Sequence, residues 1–207
     1  MENIFNFLID IGKLKNIERR GVTFYGIDCP DSALDHSFRV AIMVWILGKD
    51  KDINLGRAIK MALIHDVCKV YSGDITPYDN ILPSDLKKRR EVTGKWRRLS
   101  KKDKEKFSLK KFKQEKRALV KLIANLPHFI KKEILDLWLE YNQLLTPEAK
   151  FVNQVDVLEN LLEAFECFKQ DKNFPTKPWW QHAEEVIEDK TLLGFLKEVE
   201  KQEIEIM

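Results

Sequence analysis

The apolar residues of this chain recur every three to four positions along most of its length, which is the spacing of a helix face. This spacing predicts helices over about 3–14, 33–48, 54–70, 115–143 (interrupted by Pro127), 147–169, 178–189 and 191–204. No stretch alternates strictly between apolar and polar residues, although residues 22–27 suit a short extended piece. The pattern therefore predicts an all-α fold.

Local signals mark where some of these helices begin and end. Asn54 and Thr146 are predicted N-caps because their short polar side chains can accept hydrogen bonds from first-turn amides, and Pro147 suits a first helical position. Gly73 ends the predicted helix 54–70 and, with the prolines that follow it, predicts a loop over residues 73–83. The helix 33–48 is apolar on more than one face, which predicts a central position in the fold.

Two histidines lie among the apolar residues of predicted helices, His36 in 33–48 and His65 in 54–70, and Asp66 follows His65 directly. A buried polar group without a partner costs roughly 1–3 kcal/mol, so each of these groups needs one. A single histidine on an apolar face is more often a hydrogen-bonded core residue than a ligand. An ion pair between His65 and Asp66 is a second explanation. A shared divalent cation is a third, and imidazole with carboxylate ligands favours Mn, Fe, Co, Ni or Zn over calcium.

Composition narrows the class of protein only moderately. The 207 residues are 44% hydrophobic, enough for one domain with a sizeable core, and 33% charged with a net charge of +3, which favours no class of partner. The three scattered cysteines form no C-x-x-C pair, which argues against a disulfide framework or a zinc–thiolate site and suits a reducing compartment. No apolar run approaches 18 residues and no signal-peptide pattern is present, so we expect a cytoplasmic protein without a membrane span.

Residues 95–117 are strongly basic, with twelve Lys or Arg against three acids and few apolar side chains. Such a run usually forms a solvated helix or a mobile excursion. Trp96, Phe107 and Phe112 are interleaved with the basic residues, which keeps a nucleic-acid or other anionic partner as the less favoured alternative. A lid and a docking surface are equally compatible with the pattern.

Four segments together resemble the HD-domain phosphohydrolases, and in particular the small HD proteins related to bacterial 5′-deoxynucleotidases. These are DSALDHSFRVA at 31–41, ALIHD at 62–66, GDITPYDN at 73–80 and EAKFVNQVD at 148–156. The likeness covers roughly residues 5–94 and 117–170, and the third and fourth segments are its most specific parts. The resemblance implies a single HD domain over 1–207 that folds as a compact helical bundle around a central metal, with 95–117 as an insertion. It also implies a homodimer.

The resemblance implies one divalent metal ion, with Mn, Co, Fe, Ni, Zn or Mg as candidates, held by four residues: His36, His65, Asp66 and Asp156. Asp156 enters through the resemblance alone, because it lies more than a right angle from the apolar stripe of its helix and by itself suggests a solvated acid. Arg19 is expected to grip the substrate phosphate, and Asp74 to lie at the reaction centre, where it takes a proton from water or gives one to the leaving oxygen.

Two positions depart from the family pattern. Relatives carry a glutamate three residues after the His-Asp pair, and here the residue is Lys69, which cannot serve as a base while protonated. Other HD proteins carry a lysine at this offset, so Lys69 is a candidate phosphate clamp; reduced activity and a solvated surface lysine are the alternatives. Relatives often place a tryptophan after the Arg19-Arg20-Gly21 stretch, and here Val22 stands there, which leaves the sugar preference open.

The resulting hypothesis is a metal-dependent phosphohydrolase that dephosphorylates nucleoside 5′-monophosphates. One alternative is an HD phosphoester hydrolase for another class of substrate. The other is a catalytically weakened protein that binds nucleotides or nucleic acid, because Lys69 replaces the expected glutamate.

Overall fold

The computed structural model of this chain describes residues 1–27, 30–76, 79, 83, 85, 88 and 100–206. These residues form helices and turns, with one isolated bridge between Glu18 and Ser32 and no strand among them. The chain divides into two compact units: a first unit of Met1–Leu34 with Asp66–Leu135, and a second unit of Asp35–His65 with Asp136–Met207. The predicted all-α class is confirmed.

Most of the predicted helices form close to their expected bounds. In chain order the described helices are α1 (Glu2–Ile11), a 3₁₀-helix (Gly12–Asn16), α2 (Arg20–Thr23), α3 (Ala33–Leu47), α4 (Leu55–Ile64), α5 (Lys69–Ser72), α6 (Lys101–Leu122), α7 (His128–Gln143), α8 (Pro147–Gln170), α9 (Lys177–Val186) and α10 (Lys190–Ile206). Five residues of the predicted loop 73–83, Pro77 among them, and the start of the basic segment, residues 95–99 with Trp96, lie outside the described residues.

Helix α8 is the central element of the second unit. It packs against α4, α9 and α10, and its buried side chains include Val152, Val155 and Leu158. Helix α3 contributes Val40 and Val44 to the same core. A helix with buried positions on several faces belongs inside a fold, and α8 meets that description.

The expectation that helix 33–48 would be enclosed on more than one face is wrong. Val40 and Val44 of α3 are fully buried, whereas Phe38 and Trp45 are more than half exposed. Both faces are apolar in sequence, but the side that carries Phe38 and Trp45 stays largely exposed among the described residues. Apolar periodicity identifies faces that can be buried, and tertiary packing decides which of them are.

The first unit is organised around contacts of α5. This short helix packs against α6 and the 3₁₀-helix, and its surroundings include the buried residues Leu14, Cys68 and Leu119. Only the C-terminal part of α6 belongs to this core. The described side chains from Lys102 to Gln114 are exposed or half-buried.

The capping predictions are confirmed by hydrogen bonds. Asn54 Oδ1 accepts from the Arg57 amide at 3.0 Å, and Thr146 Oγ1 accepts from the Ala149 amide at 3.2 Å, with Pro147 at the first helical position. The predicted extended piece at 22–27 is wrong: α2 and a turn through Gly26 occupy this stretch. Gly26 has a φ of 71°, a backbone conformation that favours glycine.

The predicted helix 54–70 is broken at His65, where α4 ends. The His65 carbonyl accepts the indole N–H of Trp138 at 3.1 Å, whereas a continuous helix would give this carbonyl to the Lys69 amide. The Lys69 amide donates instead to the Asp66 carbonyl at 2.9 Å, a tighter turn. His65 and Asp66 therefore sit at a helix terminus, and the expectation that one regular helix carries both is corrected.

The sequence also predicted a reducing compartment, from its unpaired cysteines, and no membrane span. Cys68 and Cys167 are buried free thiols. Among the described helices, none has both the length and the apolar character that crossing a bilayer requires.

Candidate metal centre

Three of the four predicted metal ligands come together in the second unit. His36 lies on α3, His65 caps the C-terminus of α4, and Asp156 lies on α8. One donor atom from each lies within 4.8 Å of the others. His36 Nε2 is 3.2 Å from His65 Nε2 and 3.1 Å from Asp156 Oδ1. We call this group the histidine cluster.

The remote ring nitrogen of each histidine fixes its tautomer. His65 Nδ1 lies 2.7 Å from the Ala62 carbonyl, which can only accept a hydrogen bond, so Nδ1 carries the hydrogen. His36 Nδ1 faces the carboxylate of Glu159, which also accepts from an arginine. When both rings are neutral, the Nε2 lone pair of each is therefore left facing the cluster.

The histidine cluster consequently presents three electron pairs to one small volume. With both rings neutral, His36 Nε2 would be repelled by the His65 nitrogen at 3.2 Å and by the Asp156 oxygen at 3.1 Å unless a positive charge lies among them, either a proton on an imidazole or a metal ion. Imidazole and carboxylate are ligands that suit divalent transition metals. These residues fit a divalent cation, which would take the place of the proton that otherwise joins His36 Nε2 to His65 or Asp156.

Asp156 is held in place from both of its oxygens. The Tyr141 hydroxyl donates to Oδ2 at 2.7 Å, and Asn160 Nδ2 donates to Oδ1 at 2.9 Å. Burial alone would raise the pKa of this carboxyl, but its interactions with His36, His65 and Tyr141 hold the pKa well below its ordinary value. Asp156 is therefore an anion with 19% of its side chain exposed, and not a solvated acid.

Glu159 is a functional candidate that the sequence reasoning did not identify. Its side chain is 0% exposed and contacts His36 Nδ1, while Arg39 Nε donates to its Oε1 at 2.8 Å. Arg39 also binds Glu166 at 2.7 Å through Nη1. A carboxylate behind a ligating histidine fixes the ring and raises its basicity. The sequence did contain a signal that could have identified Glu159. It lies four residues after Val155, at the edge of the apolar stripe of α8, where an acid is buried if the stripe is.

A second group of charges lies in the first unit, in the stretch that follows His65. Lys69 Nζ is 2.7 Å from Asp66 Oδ2 and 2.7 Å from Asp74 Oδ1, and Lys69 is only 5% exposed. We call Asp66, Lys69 and Asp74 the lysine cluster. The alternative that Lys69 is a solvated surface residue is excluded by this burial.

The lysine cluster is electrostatically self-contained. Burial alone would lower the pKa of Lys69, but the two carboxylates raise it above its ordinary value. Burial alone would raise the pKa of Asp74, but Lys69 and Arg19 lower it. Lys69 is thus a cation and Asp74 an anion at neutral pH. The role of Asp66 as a fourth metal ligand stays a prediction.

Asp74 also connects the lysine cluster to the segment that carries Arg19. Its Oδ2 accepts the Arg20 amide at 2.8 Å, and the Arg19 amide donates to the Asp31 carbonyl at 3.0 Å. Arg19 is 7% exposed. Val22, three residues further, is buried in the core, so its side chain presents no surface to a sugar.

Glu115 on α6 is a second residue that the sequence did not single out. It is buried, and its Oε1 lies 3.6 Å from Lys111 Nζ. Burial raises the pKa of Glu115; Asp66 and Asp74 act in the same direction, and Lys111 and Lys69 oppose them. The sequence did not single out Glu115 because an acid in a strongly basic segment normally pairs with surface lysines and stays exposed.

Comparison with known proteins matches residues 11–192 to a family model described as an HD domain. The chain is 32% identical to the 5'-deoxynucleotidase HDDC2 of Xenopus laevis over 83% of this chain and 72% of that protein. It is 32% identical to the 5'-deoxynucleotidase HDDC2 of Dictyostelium discoideum over 86% of this chain and 84% of that protein. Among solved structures, a conserved hypothetical protein from Pyrococcus furiosus has a similar fold, with a TM-score of 0.68, 24% identity and coverage of 95% and 99% of the two chains.

Proposed function

This chain belongs to the HD-domain family, and from that premise we propose that it is a metal-dependent phosphohydrolase that releases phosphate from nucleoside 5′-monophosphates. The reaction is hydrolysis of a phosphoric monoester. Relatives named as 5'-deoxynucleotidases support the substrate class.

The observation that supports the proposal most strongly is the position of three donor atoms, one from each residue of the histidine cluster, within 4.8 Å of one another. His36, His65 and Asp156 would hold the divalent ion, and Asp66, the next residue after His65, is proposed as its fourth ligand. When bound, such an ion polarises a phosphoryl oxygen and lowers the pKa of water at the site. Tyr141 and Glu159 keep Asp156 and His36 oriented for this task.

The substrate phosphate is proposed to meet the positive charges of the first unit. Arg19 offers a planar fork that suits a phosphate, and its backbone is tied to Asp31. Lys69 is proposed as a second phosphate contact, because an ammonium has three N–H donors and the two carboxylates take two of them. Asp74 is proposed to accept a proton from water, since its low pKa leaves it unprotonated at neutral pH.

The test is phosphate release from a panel of ribo- and deoxyribonucleoside monophosphates with Mn, Co, Mg or Zn. We expect release by the wild type that requires a metal and disappears in Asp66→Ala. The panel also settles the preference for deoxyribose, which Val22 leaves open.

Lys69→Glu separates the proposed phosphohydrolase from the alternative, a catalytically weakened protein that only binds nucleotides. If Lys69 supports turnover, this variant loses activity on monophosphates. Activity that is absent in the wild type and gained in Lys69→Glu would contradict the proposal and make nucleotide binding the function. The homodimer implied by the family resemblance stays a prediction that sedimentation of the purified protein can test.

A further inference from the structure

Helix α6 carries a row of cations on one side. Residues at intervals of four, four, three, four and four positions lie within an arc of about 100° on an α-helix. Six basic residues follow these intervals and form what we call the basic face: Lys102, Lys106, Lys110, Lys113, Arg117 and Lys121. The row is about 28 Å long at 1.5 Å per residue.

The cations of the basic face are exposed and little neutralised. All six are exposed, and Lys102, Lys106, Lys110, Lys113 and Arg117 form no ion pair with another described residue. Lys121 lies over the Tyr71 ring at 4.2 Å, which leaves its charge in place.

None of the three acids of α6 lies inside the basic face. Glu105 is exposed about 60° outside the arc and forms no ion pair with another described residue. Asp103, at the edge of the basic face, forms the N-terminal capping pair with Ser100. Glu115 is buried and lies near Lys111 on another side of the helix. Six like charges along one line are unfavourable for a helix on its own, so the arrangement favours a polyanionic partner.

The chemistry around the basic face distinguishes between polyanions. Single-stranded nucleic acid is usually bound with exposed aromatic rings on which bases stack, and Phe107 and Phe112 are half-buried and lie off the face. A membrane surface requires a broad apolar face beside the cations, and here only Leu109 and Val120 are exposed between them. Duplex nucleic acid requires only a row of cations along its phosphates.

We propose that the basic face of α6 binds double-stranded nucleic acid through its phosphate backbone, without reading the base sequence. Lysines carry most of the face, and they act as point charges that suit phosphate contact more than bidentate recognition of bases. This proposal is independent of the phosphohydrolase reaction, because none of the six residues belongs to either cluster described above.

The experiment measures binding of the full-length protein to labelled 20-bp DNA and RNA duplexes of two unrelated sequences across a salt series. Each phosphate contact contributes about −0.9 to the slope of log K against log salt, so four to five contacts predict a slope of about −4. The two sequences should bind alike. Single strands of the same length and vesicles containing phosphatidylserine serve as competing probes.

The decisive variant is the triple substitution Lys106→Ala, Lys110→Ala and Lys113→Ala. We expect its salt slope to be shallower by about 2 to 3, because three contacts are lost. The matched control is Lys190→Ala, Lys197→Ala and Lys201→Ala on α10, which removes the same charge from exposed positions of another helix. The control should keep the wild-type slope.

Three results would overturn the proposal. The first is duplex binding that both triple variants weaken equally, which would indicate net charge alone. The second is binding to vesicles or single strands that exceeds duplex binding. The third is no duplex binding at 50 mM salt. Phosphate release from monophosphates should be the same in the wild type and both variants.

Discussion

The histidine cluster and the lysine cluster differ in where their positive charge comes from. With both rings neutral, the histidine cluster presents only electron pairs, with supporting groups such as Glu159 and Tyr141 behind its ligands. The lysine cluster contains its own cation, since Lys69 lies 2.7 Å from both Asp66 and Asp74. One group is prepared for an added ion, and the other is already balanced.

A single residue, Lys69, changes whether its site needs an added cation. With the glutamate that the family resemblance implies at this offset, the lysine cluster would hold three acids and no cation. Lys69 changes its formal charge by two and satisfies both neighbours internally. The histidine cluster contains no lysine or arginine, and its three residues form a group that could hold a metal ion.

The largest expected effect comes from removing the charge of Asp156. We expect Asp156→Asn to lose metal affinity and to reduce phosphate release by at least about 10³-fold, on the order of 4 kcal/mol, because the metal supplies most of the chemistry. Calorimetric titration with Mn²⁺ and the phosphate assay measure the two effects. Activity within tenfold of the wild type would break the comparison, since the histidine cluster would then not need its ion.

Lys69→Met tests the self-balance of the lysine cluster. The substitution leaves two carboxylates without their shared cation, and we expect the free energy of unfolding to fall by about 3 kcal/mol. Urea denaturation measures it, with Lys197→Met at an exposed position as the control that should stay within about 0.5 kcal/mol. An unchanged stability would mean that Lys69 is not what balances Asp66 and Asp74.

The fall in the free energy of unfolding at low pH tests the lysine cluster independently. Because the folded pKa of Asp74 is lowered, its contribution to stability is present above its unfolded pKa of about 3.9 and is lost as pH falls through the folded pKa. Removing Lys69 removes the main cause of that lowering. We therefore expect Lys69→Met to lose less additional stability than the wild type between pH 5 and pH 2.

Glu159→Gln should weaken metal binding without removing a ligand. Loss of the charge behind His36 lowers the basicity of its ring, and we expect about 10- to 100-fold weaker Mn²⁺ affinity. Glu166→Gln is the matched control, since Glu166 binds the same Arg39 but not the histidine. Equal losses in both variants would show that Arg39, and not the contact with His36, is what matters.

Tyr141→Phe should give the smallest effect. It removes one hydrogen bond to Asp156 Oδ2 and leaves the ring in place, so we expect about 1 kcal/mol, or roughly fivefold, in metal affinity. The Asn160 contact to Oδ1 remains in this variant. A loss as large as that of Asp156→Asn would assign Tyr141 a direct part in holding the ion.

The sequence predicted the helices well wherever the determining signals were local. Asn54 and Thr146 cap their helices as expected because a cap depends on residues three positions away. The break at His65 was missed because it depends on Trp138, 73 positions further along the chain. No periodicity within residues 54–70 carries that information.

The candidate site shows the same division. His36 and His65 stood out because imidazoles on apolar helices need partners, whereas Asp156 required the family resemblance. Glu159 was missed although an acid at the edge of an apolar stripe is a usable signal. The partners of Lys69 were unpredictable, since a lysine three residues after an aspartate is equally common on a solvated helix.

The hydrogen bond from Trp138 to the His65 carbonyl also places an intrinsic fluorophore beside the histidine cluster. The indole is fully buried and bonded to the residue whose ring belongs to the histidine cluster. A divalent ion arriving at that ring changes the electric field at the indole and hence its fluorescence. With the other four tryptophans replaced by phenylalanine, emission from Trp138 would report occupancy of the site in real time and without substrate.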